Sequence, residues 1–137
     1  MSFAPPDGLY CMFSDTKAFS GFAVRDTDAA KRFYGATLGL DISDYDAGNG
    51  LLELKLAGGS TVLVYASPTH EPGNYTILNF PVDDIDAAVD GLAERGVEFE
   101  RYEGIPQDEK GVMREGGPYI AWFKDPSGNI LSVLQER

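Results

Sequence analysis

One nine-residue pattern occurs twice in this chain, at 22–30 and again at 80–88: Phe, any residue, Val, any residue, Asp, any residue, Asp, Ala, Ala. In each copy an alternating apolar run, typical of a strand, ends at an aspartate, Asp26 or Asp84. Such an aspartate can cap the helix that follows it. A strand–helix unit that occurs twice predicts two similar halves, with a cleft between them.

Turn residues divide the rest of each half into further strands. After the first copy, Asn49-Gly50 and Gly58-Gly59 separate predicted strands over 40–45, 51–56 and 61–66. After the second copy the pattern predicts a helix ending at Arg95-Gly96, a strand over 97–102, a polar loop over 103–117, and strands over 119–123 and 129–135. Each half is therefore predicted to be a βαβββ unit, and the fold class to be α+β.

The length of 137 residues corresponds to one domain. Residues 1–17, rich in Pro, Gly and polar residues, are predicted to form a loosely docked N-terminal arm. Residues 18–137 then form a single domain with units over 18–66 and 75–137, joined by a linker at 67–74 that contains Pro68, Pro72 and Gly73.

Charge and cysteine content exclude several functions. Acidic residues outnumber basic ones 22 to 11, and the net charge of −11 repels phosphate backbones, so nucleic acid is not an expected partner. No apolar run approaches membrane-spanning length and no targeting pattern is present, so a cytoplasmic location without membrane contact is expected. Cys11 is the only cysteine, which excludes an intrachain disulfide.

Three further motifs occur in a characteristic order: Arg32-Phe33-Tyr34, Leu38-Gly39-Leu40 and a closing Asp125-Pro126-Ser127-Gly128-Asn129. Together with the tandem halves they resemble the vicinal oxygen chelate superfamily, which includes glyoxalase I, extradiol dioxygenases, fosfomycin-resistance enzymes and bleomycin-resistance proteins. The resemblance runs from about residue 19 to 135. It implies a curled mixed sheet around an open cleft, helices on the outside, and a homodimer.

The resemblance also locates the inward positions where metal-dependent relatives carry their ligands. In this chain they hold Phe19, Val64, Ile77 and Ser132. None of these side chains is a normal ligand for a divalent ion, and His70 is the only histidine. The sequence therefore predicts no metal and no other cofactor.

Strand alternation from those positions places Val62 and Asn79 on the same side as the inward residues. Trp122 is interpreted either as a ring that stacks on a ligand or as part of the core, and Tyr102 as a contact at the rim of the cleft. The surface is either an open ligand site or a closed core. As a site, its predicted ligand-binding residues are Phe19, Val62, Val64, Ile77, Asn79, Tyr102, Trp122 and Ser132.

The leading hypothesis is a metal-free binding protein that holds a partly hydrophobic or aromatic small molecule in the cleft. No catalytic residue is identified, so an enzyme is the less favoured interpretation. The alternative is a lyase or isomerase of the glyoxalase type, with an atypical carboxylate metal site built from Glu53 and either Asp108 or Glu109. A third hypothesis is a subunit protein whose cleft is filled by its own side chains.

Overall fold

The structure, a computed structural model, describes residues 12–45 and 49–137. Most of the predicted arm and Cys11 therefore lie outside the described residues. The first sheet has the strand order β1-β4-β3-β2, and the second has the order β5-β7-β6. The strands are β1 (Ser20–Val24), β2 (Asp41–Asp44), β3 (Leu51–Lys55), β4 (Thr61–Ala66), β5 (Thr76–Pro81), β6 (Tyr119–Lys124) and β7 (Ile130–Gln135).

Both sheets are mixed, and both follow the same plan. The first strand of each repeat pairs in parallel with the last strand of that repeat, and the last pairs antiparallel with the strand before it. The predicted α+β class, with two mixed sheets, is confirmed. The described strands do not close into a barrel, and no helix in the described ranges is long and apolar enough to cross a membrane.

The strand predicted over 97–102 is absent, which corrects the βαβββ prediction for the second repeat. Only one bridge forms there, between Phe99 and Phe123 of β6. The amide of Glu100 still bonds to the Trp122 carbonyl, at 2.8 Å, but the amide of Tyr102 bonds to the side chain of Gln107 instead. Because the backbone donor at Tyr102 is taken by the following loop, the ladder cannot extend along β6.

Aspartate caps begin both helices, as predicted. Helix α1 (Thr27–Ala30) starts at Asp26, whose Oδ1 accepts hydrogen bonds from the amides of Asp28 and Ala29. Helix α2 (Ile85–Glu94) starts at Asp84, whose Oδ1 accepts from the amide of Ala87 at 3.1 Å. Helix α1 continues as a π-helical segment, Lys31–Thr37, which carries the Phe33-Tyr34 pair toward the core.

One core joins the two repeats. Tyr34 of the π-helical segment is completely buried, and its hydroxyl donates to Oδ2 of Asp125 in the second repeat at 2.7 Å. Burial, and then the charge of Asp125, raise the pKa of Tyr34 above its ordinary value, so that this hydroxyl stays a hydrogen-bond donor. The ring of Phe33 lies 6.3 Å from that of Phe123, which extends the contact between repeats.

Candidate functional site

A cleft of about 870 Å³ lies where β1 and β4 of the first sheet approach the start of β5. Three of its aromatic side chains are largely open to solvent: Phe19 is 68% exposed, Tyr75 is 66% exposed and Tyr65 is 42% exposed. The volume lies in the range of small-molecule sites, which are mostly apolar with a few polar groups. Other lining residues are Thr61, Val62, Ile77, His70 and Asn129.

The β4 side chains that face the cleft are shifted by one residue from those predicted. In the β3–β4 register, Leu52 lies opposite Val64 and Leu54 lies opposite Val62, and all four are buried in the core. Alternation places Thr61, Leu63 and Tyr65 on the other face of the strand. Val64, predicted to face the cleft, therefore lies in the core, and Val62 belongs to the core while bordering the cleft.

The alternation of residues along β3 could have predicted which side chains of β4 face the core. Polar Glu53 and Lys55 alternate with Leu52 and Leu54 along β3. A strand of that pattern turns its leucines to the core, and its partner then turns Val62 and Val64 the same way. Tyr65 becomes a cleft residue by the same argument, as does Thr61.

Four of the predicted residues lie together, three on the second sheet and Tyr102 beside it. Ser132 of β7 lies opposite Asn79 of β5 and opposite Trp122 of β6. Its hydroxyl donates to Oδ1 of Asn79 at 2.6 Å, and the ring of Tyr102 meets that of Trp122 edge-on with centroids 5.5 Å apart. In the part of the chain that the structure describes, none of these four lines the cleft.

The Tyr102 hydroxyl is an unusual feature of this second-sheet face, which we define as Asn79, Tyr102, Trp122 and Ser132. Its oxygen is buried and has no hydrogen-bond partner within the described ranges. Burial, and then the negative charge of Glu100, raise the pKa of Tyr102. The hydroxyl is therefore a neutral donor at physiological pH, buried beside the ring of Trp122.

The positions that hold metal ligands in metal-dependent relatives do not fit a metal in this chain. Phe19, Val64 and Ile77 have no donor atom, and the hydroxyl of Ser132 is bonded to Asn79. Among the described residues no group of three or more His, Cys, Asp or Glu side chains is placed to hold a metal ion. The chemistry of the available donors thus gives no route to a reaction on a bound divalent ion at these positions.

The carboxylates of the alternative hypothesis lie in different surroundings. Glu53 borders a small hollow of about 160 Å³ with Phe19 and Tyr45, and its Oε1 is 3.8 Å from the ammonium of Lys55. Neither Asp108 nor Glu109 is among the described residues that line that hollow. Asp108 instead bonds to Arg114 and to the backbone of its own loop.

The loop over 103–117 is held by its own side chains. Gln107 donates to the carbonyls of Glu100 and Gly111, both at 2.8 Å, and accepts from the amide of Tyr102. Arg114 connects the loop to α2 through Asp86, at 2.7 Å. These bonds fix the loop as a structured edge of the second repeat.

Replacing Asp108 with alanine is expected to lower the free energy of unfolding by roughly 2 kcal/mol at neutral pH, because three hydrogen bonds end on this carboxylate. Burial alone would raise the pKa of Asp108, but bonds from the Val112 amide, the Arg114 guanidinium and the Lys110 amide outweigh it and lower the pKa. The charged form therefore stabilises the fold fully above about pH 4, and this contribution is lost as pH falls through the lowered pKa.

Urea unfolding of the D108A variant and the wild type, across the acid range, checks this expectation. The difference between the two proteins in free energy of unfolding should become smaller in acid. Glu109→Ala is the matched control in the same loop, since Glu109 is exposed, and it should unfold like the wild type. If the loss of stability in D108A does not change with pH, it would contradict the assigned role of the Asp108 charge.

The fold and cleft define a class: an α+β protein of two repeated units with a ligand-sized cleft where they meet. The model of the Glyoxalase/Bleomycin resistance protein/Dioxygenase superfamily matches residues 18–133, and the chain belongs to that superfamily. The Bacillus subtilis (strain 168) protein YraH is 29% identical over 124 residues, which cover 82% of this chain and 91% of YraH.

Solved structures agree with this assignment. TnmS3, an antibiotic binding protein from Streptomyces sp. CB03234, is 27% identical, with a TM-score of 0.63 and coverage of 90% of this chain and 98% of TnmS3. A superfamily member from Sphaerobacter thermophilus DSM 20745 is 24% identical, with a TM-score of 0.64, and the match covers 88% of this chain and 98% of that one. The likeness to the Sphaerobacter thermophilus protein supports only the fold of this chain.

Proposed function

We propose that this protein binds a partly hydrophobic or aromatic small molecule in the cleft between its two sheets, without a metal. The observation that carries the proposal is the set of exposed aromatic rings, Phe19, Tyr65 and Tyr75, gathered around one cleft of about 870 Å³. Exposed aromatic side chains in a concave surface are typical of ligand sites, because burying them under a ligand releases water from apolar area.

Two further observations support this proposal over the alternative enzyme. The likeness to TnmS3, an antibiotic binding protein, supports a binding role for this fold. The carboxylates that the alternative needs are used elsewhere, Glu53 beside Lys55 and Asp108 beside Arg114. Of the predicted ligand-binding residues, Phe19, Val62 and Ile77 serve the proposal directly, because they border the cleft.

A homodimer is part of the proposal. The resemblance to the superfamily implies it, and the second-sheet face offers a second copy the exposed amide of Asn79 and the partly exposed ring of Trp122. Asn79 and Trp122 would then complete the ligand site from the partner subunit, while Ser132 and Tyr102 support these two side chains from below. Sedimentation at micromolar concentration should give twice the chain mass of 14.9 kDa, and a monomer would contradict this part.

Naphthol is a suitable test ligand because it combines a fused aromatic surface with one polar group. We expect it to raise the melting temperature of the wild type in a concentration-dependent way, because binding to the folded state alone stabilises that state. The double variant Phe19→Ala, Tyr75→Ala should bind roughly tenfold or more weakly, since each lost ring contact is worth about 1 kcal/mol.

The matched control is Phe13→Ala, which removes an equally exposed ring that does not line the cleft. It should bind naphthol like the wild type. Both variants should fold normally because the replaced side chains are exposed. Equal affinity in all three proteins would contradict binding in the cleft, and binding that requires an added divalent ion would contradict a metal-free site.

A further inference from the structure

His70 lies in the linker between the repeats and forms part of the cleft wall. It is the only histidine in the chain. Its ring nitrogen Nε2 is 2.9 Å from Oδ1 of Asn129, which follows the closing turn of the second repeat. The sequence pattern of the linker did not indicate a site residue here, because the partner of the ring is distant in the chain.

The partner of Nε2 fixes where the hydrogen of the neutral ring lies. Asn129 is buried, and its Nδ2 donates to the carbonyl of Ala23 at 2.8 Å and to Oδ2 of Asp125 at 2.9 Å. Two acceptors on one side of the amide identify that side as the nitrogen, so the atom facing His70 is the oxygen. An oxygen acceptor requires a donor, and Nε2 therefore carries the hydrogen. In the neutral ring, Nδ1 is then an acceptor.

The backbone of His70 is held as firmly as its ring. Its amide donates to the carbonyl of Ser67 at 2.9 Å, and its carbonyl accepts from Nε of Arg25 at 2.9 Å. A residue whose amide, carbonyl and one ring nitrogen are all hydrogen-bonded loses little further conformational freedom when a ligand binds. The imidazole is therefore an ordered polar group beside the exposed aromatic rings of the cleft.

We infer that His70 is the polar anchor of the cleft, and that its Nδ1 accepts a hydrogen bond from a hydroxyl or N–H group of the ligand. This inference rests on the proposed function and narrows its substrate class to aromatic molecules that carry a donor, such as phenols. The rings of Phe19, Tyr65 and Tyr75 contact the apolar part of such a ligand, and His70 sets its orientation.

A matched pair of ligands tests the inference: naphthol, which has a donor, and methoxynaphthalene, which does not. The wild type should prefer naphthol by roughly fivefold to tenfold, the range expected for one hydrogen bond in a partly buried site. His70→Phe keeps a ring of similar size without an acceptor, and it should abolish the preference, measured as the ratio of the two affinities in the variant. Tyr75→Phe, which removes only a hydroxyl from the same cleft, should keep the preference.

A nitrogen NMR measurement on the wild type does not depend on the folding of any variant, and a single histidine makes the signal unambiguous. The neutral ring should be protonated at Nε2, and naphthol, but not methoxynaphthalene, should shift the Nδ1 resonance. Protonation at Nδ1, equal affinities, or a preference that survives in H70F would overturn the inference and leave the proposed function standing. Failure of both ligands to bind would overturn both.

Discussion

Replacing Asp125 with alanine is expected to lower the free energy of unfolding by roughly 4 kcal/mol, close to the upper end for a single substitution. The Asp125 side chain is buried, and four donors converge on it. Oδ1 accepts from the amides of Ser127 and Asn129, at 2.8 and 2.9 Å, and Oδ2 accepts from the hydroxyl of Tyr34 and the amide group of Asn129, at 2.7 and 2.9 Å. Alanine would leave the Tyr34 hydroxyl and the two backbone amides without this acceptor, and the Nδ2 group of Asn129 would keep only its bond to the Ala23 carbonyl.

Urea unfolding followed by circular dichroism measures this loss, and two further variants separate its causes. Tyr34→Phe removes one donor and keeps the ring, so it should cost only about 1 to 2 kcal/mol. Asp83→Asn changes an exposed aspartate and should fall within about 0.5 kcal/mol of the wild type. An Asp125→Ala variant as stable as Tyr34→Phe would show that the turn donors find water instead.

Phe123→Ala is the second large effect, with an expected loss of roughly 4 kcal/mol, because truncating a fully buried ring leaves a cavity in a close-packed interior. Its ring lies 5.8 Å from that of Phe99 in its own repeat and 6.3 Å from that of Phe33 in the other. Since one side chain supports both repeats, the variant should still unfold in a single transition, at lower denaturant concentration.

Phe123→Leu retains most of the buried volume and should lose only about 1 to 1.5 kcal/mol. Phe13→Ala removes a ring that is 77% exposed and should change stability little. Calorimetry distinguishes one unfolding transition from two. Separate transitions for the two repeats would contradict a shared core.

The repeat, the helix caps and most strand bounds were predictable because they depend on local chemistry. Asp26 and Asp84 cap helices through atoms only a few residues away, and the β4 strand, Thr61–Ala66, has the predicted bounds. The absent strand over 97–102 could not be predicted in this way. Its apolar alternation is genuine, but the competing bond from the Tyr102 amide to Gln107 depends on the path of the following loop.

The candidate site was predictable in part, and the failures have two physical causes. Phe19 and Ile77 border the cleft, whereas Val64 faces the core, because a one-residue error in the facing of a strand exchanges its two faces. His70 and Asn129 contact each other although they are 59 residues apart in the chain, and no local sequence pattern predicts such a contact. The division of the predicted residues between the cleft and the second-sheet face likewise depends on how the sheets are placed.

Alternate side chains along β4 have different roles, because one set packs in the core and the other lies on the opposite face. Val62 and Val64 maintain the interior, while Thr61, Leu63 and Tyr65 lie on the opposite side. If the cleft binds a small molecule as proposed, substitutions at Thr61 and Tyr65 would change its lining without a large penalty in folding, because neither side chain belongs to the core. A scaffold with this division can change the wall of its cleft by single substitutions while its interior stays intact.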